Sequence, residues 1–322
     1  MSRHTDNLPG DCGDGRPSVG ACGPDVDDDI GDSHANDGAS RADAASLVEH
    51  VRIVLAAHHI SHPNAAKVTS FVRELDARKY AKKVWLRYLA RNSGWGTMDI
   101  LGFIHEAQQA GDYDEVLWRA FLATHFGRTS ADERAMDSAG RFLCGFETEH
   151  AQPQWTWKQV STRFDEFSSW AHTHADLLAT LRYGNHRKFE SKQPDDIVVV
   201  MESFVGWVRS RGQGPTAAFA ATPATLSPTQ RFRALYDAFD VYRFGRTARF
   251  DFLCLLGDMA LLPVVPDSCY IVGATGPRRG AELLCGRRGE AELGAIADEL
   301  ARSLSVPYDA VEDALCIWQK TR

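Results

Sequence analysis

From Ala44 to the C-terminus, apolar side chains recur at helical intervals, and this periodicity limits the chain to a helical fold before any other feature is weighed. Leu47, Val48, Val51, Val54 and Leu55 share one helical face, and Phe71, Val72 and Leu75 the next. The run from Tyr80 to Leu89 stops at Asn92-Ser93-Gly94. Thr97 is placed to cap a helix carrying Ile100, Leu101 and Ile104, which Gly111 would end. Asp112 with Glu115, and Ser130 with Glu133, have capping-box spacing. Longer amphipathic runs cover about 156–182 and 195–210. The β-rich run Ile197–Val200 lies inside the second of these, so the expected class is all-α.

Residues 211–228, RGQGPTAAFAATPATLSP, break the pattern and read as a linker or loop dividing two helical lobes. Ser227-Pro228-Thr229-Gln230 restarts a helix, with Pro at the first helical position and Gln three residues after the cap. Further helices are expected at about 229–241, 246–260, 278–286, 290–304 and 307–319.

The formal net charge of -7 comes from the N-terminus. Residues 1–45 hold ten Asp, no Glu and three Arg, so positions 46–322 balance at 33 acidic and 33 basic residues. A neutral domain can still present a basic face to phosphate. The Asp-, Gly-, Ser- and Ala-rich residues 1–45 read as a disordered acidic tail, serving either solubility or a regulatory role as a DNA mimic. No apolar run spans a membrane and no secretory h-region opens the chain, so the expected location is the cytoplasm. The seven Cys are odd in number and widely spaced, with no CxxC pair; free thiols, no metal and no cofactor are expected. His58, His59 and His62, and His172 with His174, lack an acidic or thiol partner set and read as surface residues.

Chemistry concentrates between Tyr242 and Cys285. Arg243, Arg246 and Arg249 precede Asp251, a carboxylate set among Phe250, Phe252 and Leu253. Such a group either pairs structurally with Arg246 or Arg249 or faces a cleft as a reactive acid. GATGPRRGAELL, from Gly273 to Leu284, has the makings of a phosphate-binding hairpin. Gly273 and Gly276 allow close backbone approach or positive φ, Pro277 starts a helix, Ala281 packs tightly, and Arg278 and Arg279 bring charge. A plain helix corner with solvated Arg is the alternative. In LRYGNHRKFE, Tyr183, Asn185 and His186 suit a base pocket, and Arg187 and Lys188 suit phosphate contact. A helix end with favourable cations explains the same residues without function.

GATGPRRGAELL, followed by VEDALCIWQKTR at Val311 to Arg322, resembles the alpha-glutamyl/putrescinyl thymine pyrophosphorylase family. RNSGWGTMDILGF, FLATHFGR, YGNHRKFES and FGRTARFDFL look like its clade 3, and the similarity covers nearly all of residues 80–322. The resemblance implies kinship with helix-hairpin-helix DNA glycosylases, and hence a two-lobed helical fold of that type. It matches Asp251 to the family's Asp, Gly276, Arg279 and Gly280 to its Gly-rich loop, and Cys316 and Lys320 to its last element. Two departures stand out: Ala-Thr-Gly-Pro replaces the loop's opening Gly-Pro-Gly, and Phe252 replaces the Leu after the Asp.

The leading expectation drawn from this is a monofunctional DNA glycosylase. It would flip and excise a phage-modified pyrimidine, for instance a glucosylated one, from double-stranded DNA in anti-phage defence, leaving an abasic site. Asp251 would stabilise the sugar cation, with Lys320 as a second catalytic candidate. The DNA grip would fall to Arg187, Lys188, Arg243, Arg246, Arg249, Gly273, Gly276, Arg278, Arg279 and Gly280. Two alternatives stand beside it: a transferase of hypermodified-thymine biosynthesis that releases pyrophosphate, and a non-catalytic reader of modified DNA.

Overall fold

The computed structural model describes residues 36–91, 94–95, 97–127, 133–147, 152–184, 187 and 190–321. These form fifteen α-helices and no strand. The first five are α1 (Asn36–Ala57), α2 (Ala65–Leu89), α3 (Ile100–Ala110), α4 (Tyr113–Phe126) and α5 (Glu133–Leu143). Next come α6 (Trp157–Thr162), α7 (Phe164–Thr173), α8 (Ala175–Thr180), α9 (Pro194–Arg211) and α10 (Pro215–Ala220). The chain finishes with α11 (Pro228–Ala238), α12 (Arg246–Asp258), α13 (Gly276–Cys285), α14 (Glu290–Ser303) and α15 (Tyr308–Trp318). No helix among the described residues is long and apolar enough to cross a membrane.

Local chemistry sets many of the boundaries. Gly111 closes α3 at φ +74°, a conformation that costs glycine little. The Asp112 carboxylate caps α4 by accepting from the Glu115 N–H. Ser227 and Gln230 form the reciprocal capping box at the head of α11. Three expectations change. Asp99, not Thr97, caps α3, because its carboxylate is adjacent to the first helical residue and accepts from the Leu101 N–H. Residues 36–45, expected in the acidic tail, belong to α1; residues 1–35 and Ser130 lie outside the described residues. The run over 156–182 is three helices, broken at Arg163 and His174. Its apolar period carries across both breaks, with Phe167, Trp170 and Leu178 all buried, so it looks continuous in sequence.

Two apolar clusters organise residues 43–322, which form one compact unit. The larger runs from Trp85 to Val264 and is centred on α4, every residue of which from Glu115 to Phe126 is buried. Phe121 stacks on Phe204 and Phe244 with centroids 4.0 and 4.6 Å apart. Burying a side chain of this size contributes roughly 1.5–3 kcal/mol. The polar members of α4 are there because they are paired: the Glu115 carboxylate takes hydrogen bonds from Arg119 Nε at 2.8 Å and from the Trp157 N–H at 2.6 Å.

The smaller cluster joins Val51 to Leu75 with Cys269 to Trp318. In it Phe71 meets Trp318 edge-on at 5.6 Å, and the indole N–H of Trp318 donates to Ser70 Oγ. The division between clusters therefore lies at the end of α2 and after Val264. Residues 211–228, expected as the divider of the lobes, sit against the larger cluster instead. Phe219 of α10 is buried there, and the Asp114 carboxylate accepts from the Thr216 N–H at 2.7 Å.

Candidate active site at the head of helix α12

The turn feeding α12 is held from both sides. Arg243 adopts φ +58°, uncommon for a bulky side chain and sustained only when its surroundings fix it. Its carbonyl accepts from Arg187 Nη1 at 3.0 Å, while its own guanidinium reaches Glu190 and Asp196 at 2.9 and 3.3 Å. The next N–H back, that of Tyr242, donates to Ser203 Oγ on α9. Arg187 is 6% exposed. It lies over the Phe244 ring at 4.9 Å and donates through Nε to the His125 carbonyl at 3.2 Å. Burial lowers its pKa from the usual guanidinium value, against the opposing pull of Glu190, Tyr183 and Asp251.

Close backbone approach makes this crossing possible. Gly127 sits at φ +109°, and a Cβ there would meet the Gly184 carbonyl oxygen. The Gly184 N–H donates to the Phe126 carbonyl at 2.7 Å. Three of the four strings that resemble clade 3, those containing His125, Gly184 with Arg187, and Phe244, thus converge at the head of α12.

Asp251 stands half-buried on that helix and interacts electrostatically with Arg187, Arg246 and Glu312. Arg246 donates to the Tyr270 and Cys269 carbonyls at 2.6 and 2.9 Å and pairs with the Glu312 carboxylate on α15. Glu312 is 3% exposed. Its carboxyl is pushed up to about 7 by burial, with Arg246 pulling the other way and Asp313 and Asp251 adding to the rise. The pair raises Arg246 even though burial opposes it. Both values rise: for Arg246 the pair outweighs burial, whereas for Glu312 burial outweighs the pair, since the guanidinium also gives donors to the Tyr270 and Cys269 carbonyls. Sequence reasoning passed over Glu312, although it stands at the head of the EDALCIWQK element that carries the family likeness. Its ion pair with Arg246 joins that element to α12.

The remaining expected site residues are placed as follows. Tyr183 is interior: its ring stacks on Phe126 at 5.1 Å, its hydroxyl lies 3.3 Å from His125 Nε2, and burial raises its pKa. His125 is wholly buried and held neutral, its pKa driven well down by burial and then by Arg187 and Arg243. Asn185, His186 and Lys188 lie outside the described residues. Arg249 donates to the Phe244 carbonyl at 2.9 Å. Arg278 is engaged by Glu282 and Glu290, at 3.2 and 3.5 Å, and the Gly273 N–H by Glu290 at 3.0 Å. Arg279 and Lys320 are exposed.

Gly276 and Gly280 face α15. A Cβ on Gly276 would lie 2.8 Å from Cys316 Sγ, and one on Gly280 would lie 2.2 Å from the Leu315 carbonyl oxygen. In these two glycines the loop motif and the C-terminal motif are opposite sides of one helix contact. Gly280→Ala is expected to cost about 1–3 kcal/mol, since backbone must shift, measured as a drop in Tm. Gly276→Ala, opposed only by a side-chain sulfur, should cost less. Equal Tm values for both variants and the parent would show that the contact is loose.

The family description alpha-glutamyl/putrescinyl thymine pyrophosphorylase clade 3 matches residues 68–322. The chain belongs to that family. No curated protein and no solved structure matches it. Membership in a pyrophosphorylase family of thymine hypermodification overturns the glycosylase expectation. With it fall the hydrolysis that leaves an abasic site, the flipping of a base for excision, and the anti-phage role built upon them. The transferase alternative agrees with the family.

Proposed function

We propose that the chain acts on DNA bearing a pyrophosphorylated hydroxymethyl pyrimidine and replaces the pyrophosphate with an amine, yielding a hypermodified thymine. Family membership across residues 68–322 carries this reading, and the family name points to a glutamyl or putrescinyl amine. In the reaction the amine nitrogen forms a bond to the exocyclic methylene carbon as the carbon–oxygen bond breaks. The bonding pair leaves with pyrophosphate, and the new secondary amine gives up one proton. Two kinds of group are needed: a base for that proton and cations for the departing charge.

Asp251, partly accessible and flanked by Arg187 and Arg246, is suited to receive the proton. The exposed Arg279 and Lys320, and Arg243 at the rim, are suited to pyrophosphate or strand phosphates.

The test supplies DNA carrying the pyrophosphorylated base together with glutamate or putrescine. Inorganic pyrophosphate should appear in step with a nucleoside whose mass has gained the amine. Release of free base, or unchanged DNA with no pyrophosphate, would overturn the reading.

A further inference from the structure

We propose that the outer face of α2 is a docking surface for duplex DNA, with Lys83, Arg87 and Arg91 on strand phosphates and Tyr80 beside them. The surface rests on DNA being the partner, as in the transfer reading, and not on the chemistry that follows.

The two sides of α2 are unlike. Val68, Phe71, Val72, Leu75 and Trp85 are buried, so the helix reaches from the smaller apolar cluster into the larger. Lys82 fastens it to both site-bearing helices, its ammonium 2.6 Å from the Asp258 carboxylate of α12 and from the Asp309 carboxylate of α15. The opposite stripe, spaced at three and four residues, holds Arg73, Tyr80, Lys83, Val84 and Arg87, all exposed. Tyr80, at 68%, is the most exposed large apolar side chain among the described residues.

Folding does not account for this stripe. From Ala77 to Met98 the sequence has six basic residues and no acid. Elsewhere several helix cations face an acid one turn away: Arg119 with Glu115, Arg278 with Glu282, and Arg288 with Glu292. In α2 itself, Arg78 and Lys79 are paired in this way with Glu74 and Asp76. Lys83 has Lys79 and Arg87 at the corresponding positions, and like charges four residues apart oppose each other on a helix. Arg87 gains from the helix end; Lys83, before the last turn, does not. Among the described residues, the side chains of Tyr80, Lys83 and Arg87 make no hydrogen bond or ion pair. Arg91, exposed just past the helix, lies over the Tyr88 ring at 4.9 Å.

A row of cations without acids is offset by a polyanion, and duplex DNA carries one charge per about 1.7 Å of its axis. Tyr hydroxyls add hydrogen bonds to phosphate or sugar. An acidic membrane fits this face poorly: a helix that lies on lipid inserts its apolar side, and here that side is buried in the protein.

Fluorescence anisotropy of the full chain with an unmodified labelled duplex, titrated from about 50 to 200 mM salt, tests the surface. Lys83→Gln with Arg87→Gln should flatten the slope of log affinity against log salt by about 2, so that the parent loses about tenfold more affinity over that range. A charge-matched control, Lys158→Gln with Arg302→Gln, at exposed positions of α6 and α14, should keep the parent's slope. The Tm of the α2 variant should hold or rise, since opposing charges are removed. A parental slope in the α2 variant, an equal change in the control, or binding of phosphatidylserine vesicles in place of the duplex overturns the proposal. If the slope flattens but the parent releases no pyrophosphate from modified DNA, the surface stands and the transfer reading fails. If pyrophosphate is released and the slope does not move, the transfer reading stands and this surface falls.

Discussion

Asp251→Asn is expected to slow pyrophosphate release by about 10²–10⁴-fold, the range that a positioned proton acceptor contributes. The amide has the shape of the carboxylate and leaves the apolar neighbours Phe250 and Phe252 where they are, both buried in α12. It cannot take a proton from the amine. Binding to DNA should be preserved, because strand phosphates are assigned to Arg243, Arg279 and Lys320 on other segments. Single-turnover pyrophosphate release, paired with a mobility-shift titration at one fixed salt concentration, separates the two effects. Full activity in the variant would remove Asp251 from the chemistry.

Arg246→Met is the substitution with the largest expected structural effect. Breaking a buried pair strands the surviving charge and costs about 3–5 kcal/mol. Here the survivor is Glu312, which can escape by binding a proton, so the cost depends on pH. A glutamate whose folded value lies above its unfolded one contributes its stability fully below the unfolded value and loses it as pH rises through the folded value. Glu312 already stands at about 7 with Arg246 present, and loss of the guanidinium raises it further. The Tm gap between parent and variant should therefore be narrow at pH 5 and widest above neutrality. A gap that does not change with pH would mean that Glu312 is not the stranded group.

Most of the helical architecture can be read from the sequence because its determinants are local. Gly111, Asp112 and the Ser227–Gln230 box each act within a few residues of the helix end they set. The breaks at Arg163 and His174 leave no such mark, since neither Gly nor Pro stands there and the apolar period runs on. At the site, Asp251 and Arg246 draw notice as charges inside or beside an apolar helix. Glu312 does not, because a glutamate among Asp309 and Asp313 looks like a solvated face, and its partner lies 66 residues away. Gly276 and Gly280 invite a phosphate reading by composition. Their four-residue spacing equally marks one side of a helix, and the Leu315 carbonyl against Gly280 gives that spacing its structural cause. Arg278 stands four residues before Glu282, an i,i+4 pair visible in sequence, and the structure adds Glu290 to it.

The pairing of Ser70 with Trp318 spans 248 positions. While the chain is being synthesised, the apolar residues that α1 and α2 give to the smaller cluster lack its other half until α13, α14 and α15 have emerged. Contacts this remote in sequence form slowly, and the waiting surface is prone to aggregation. Nascent chains of this protein should accordingly lean on cellular chaperones late in translation, and slow or interrupted translation near the 3′ end of the message should lower the yield of native product more than the same delay placed earlier.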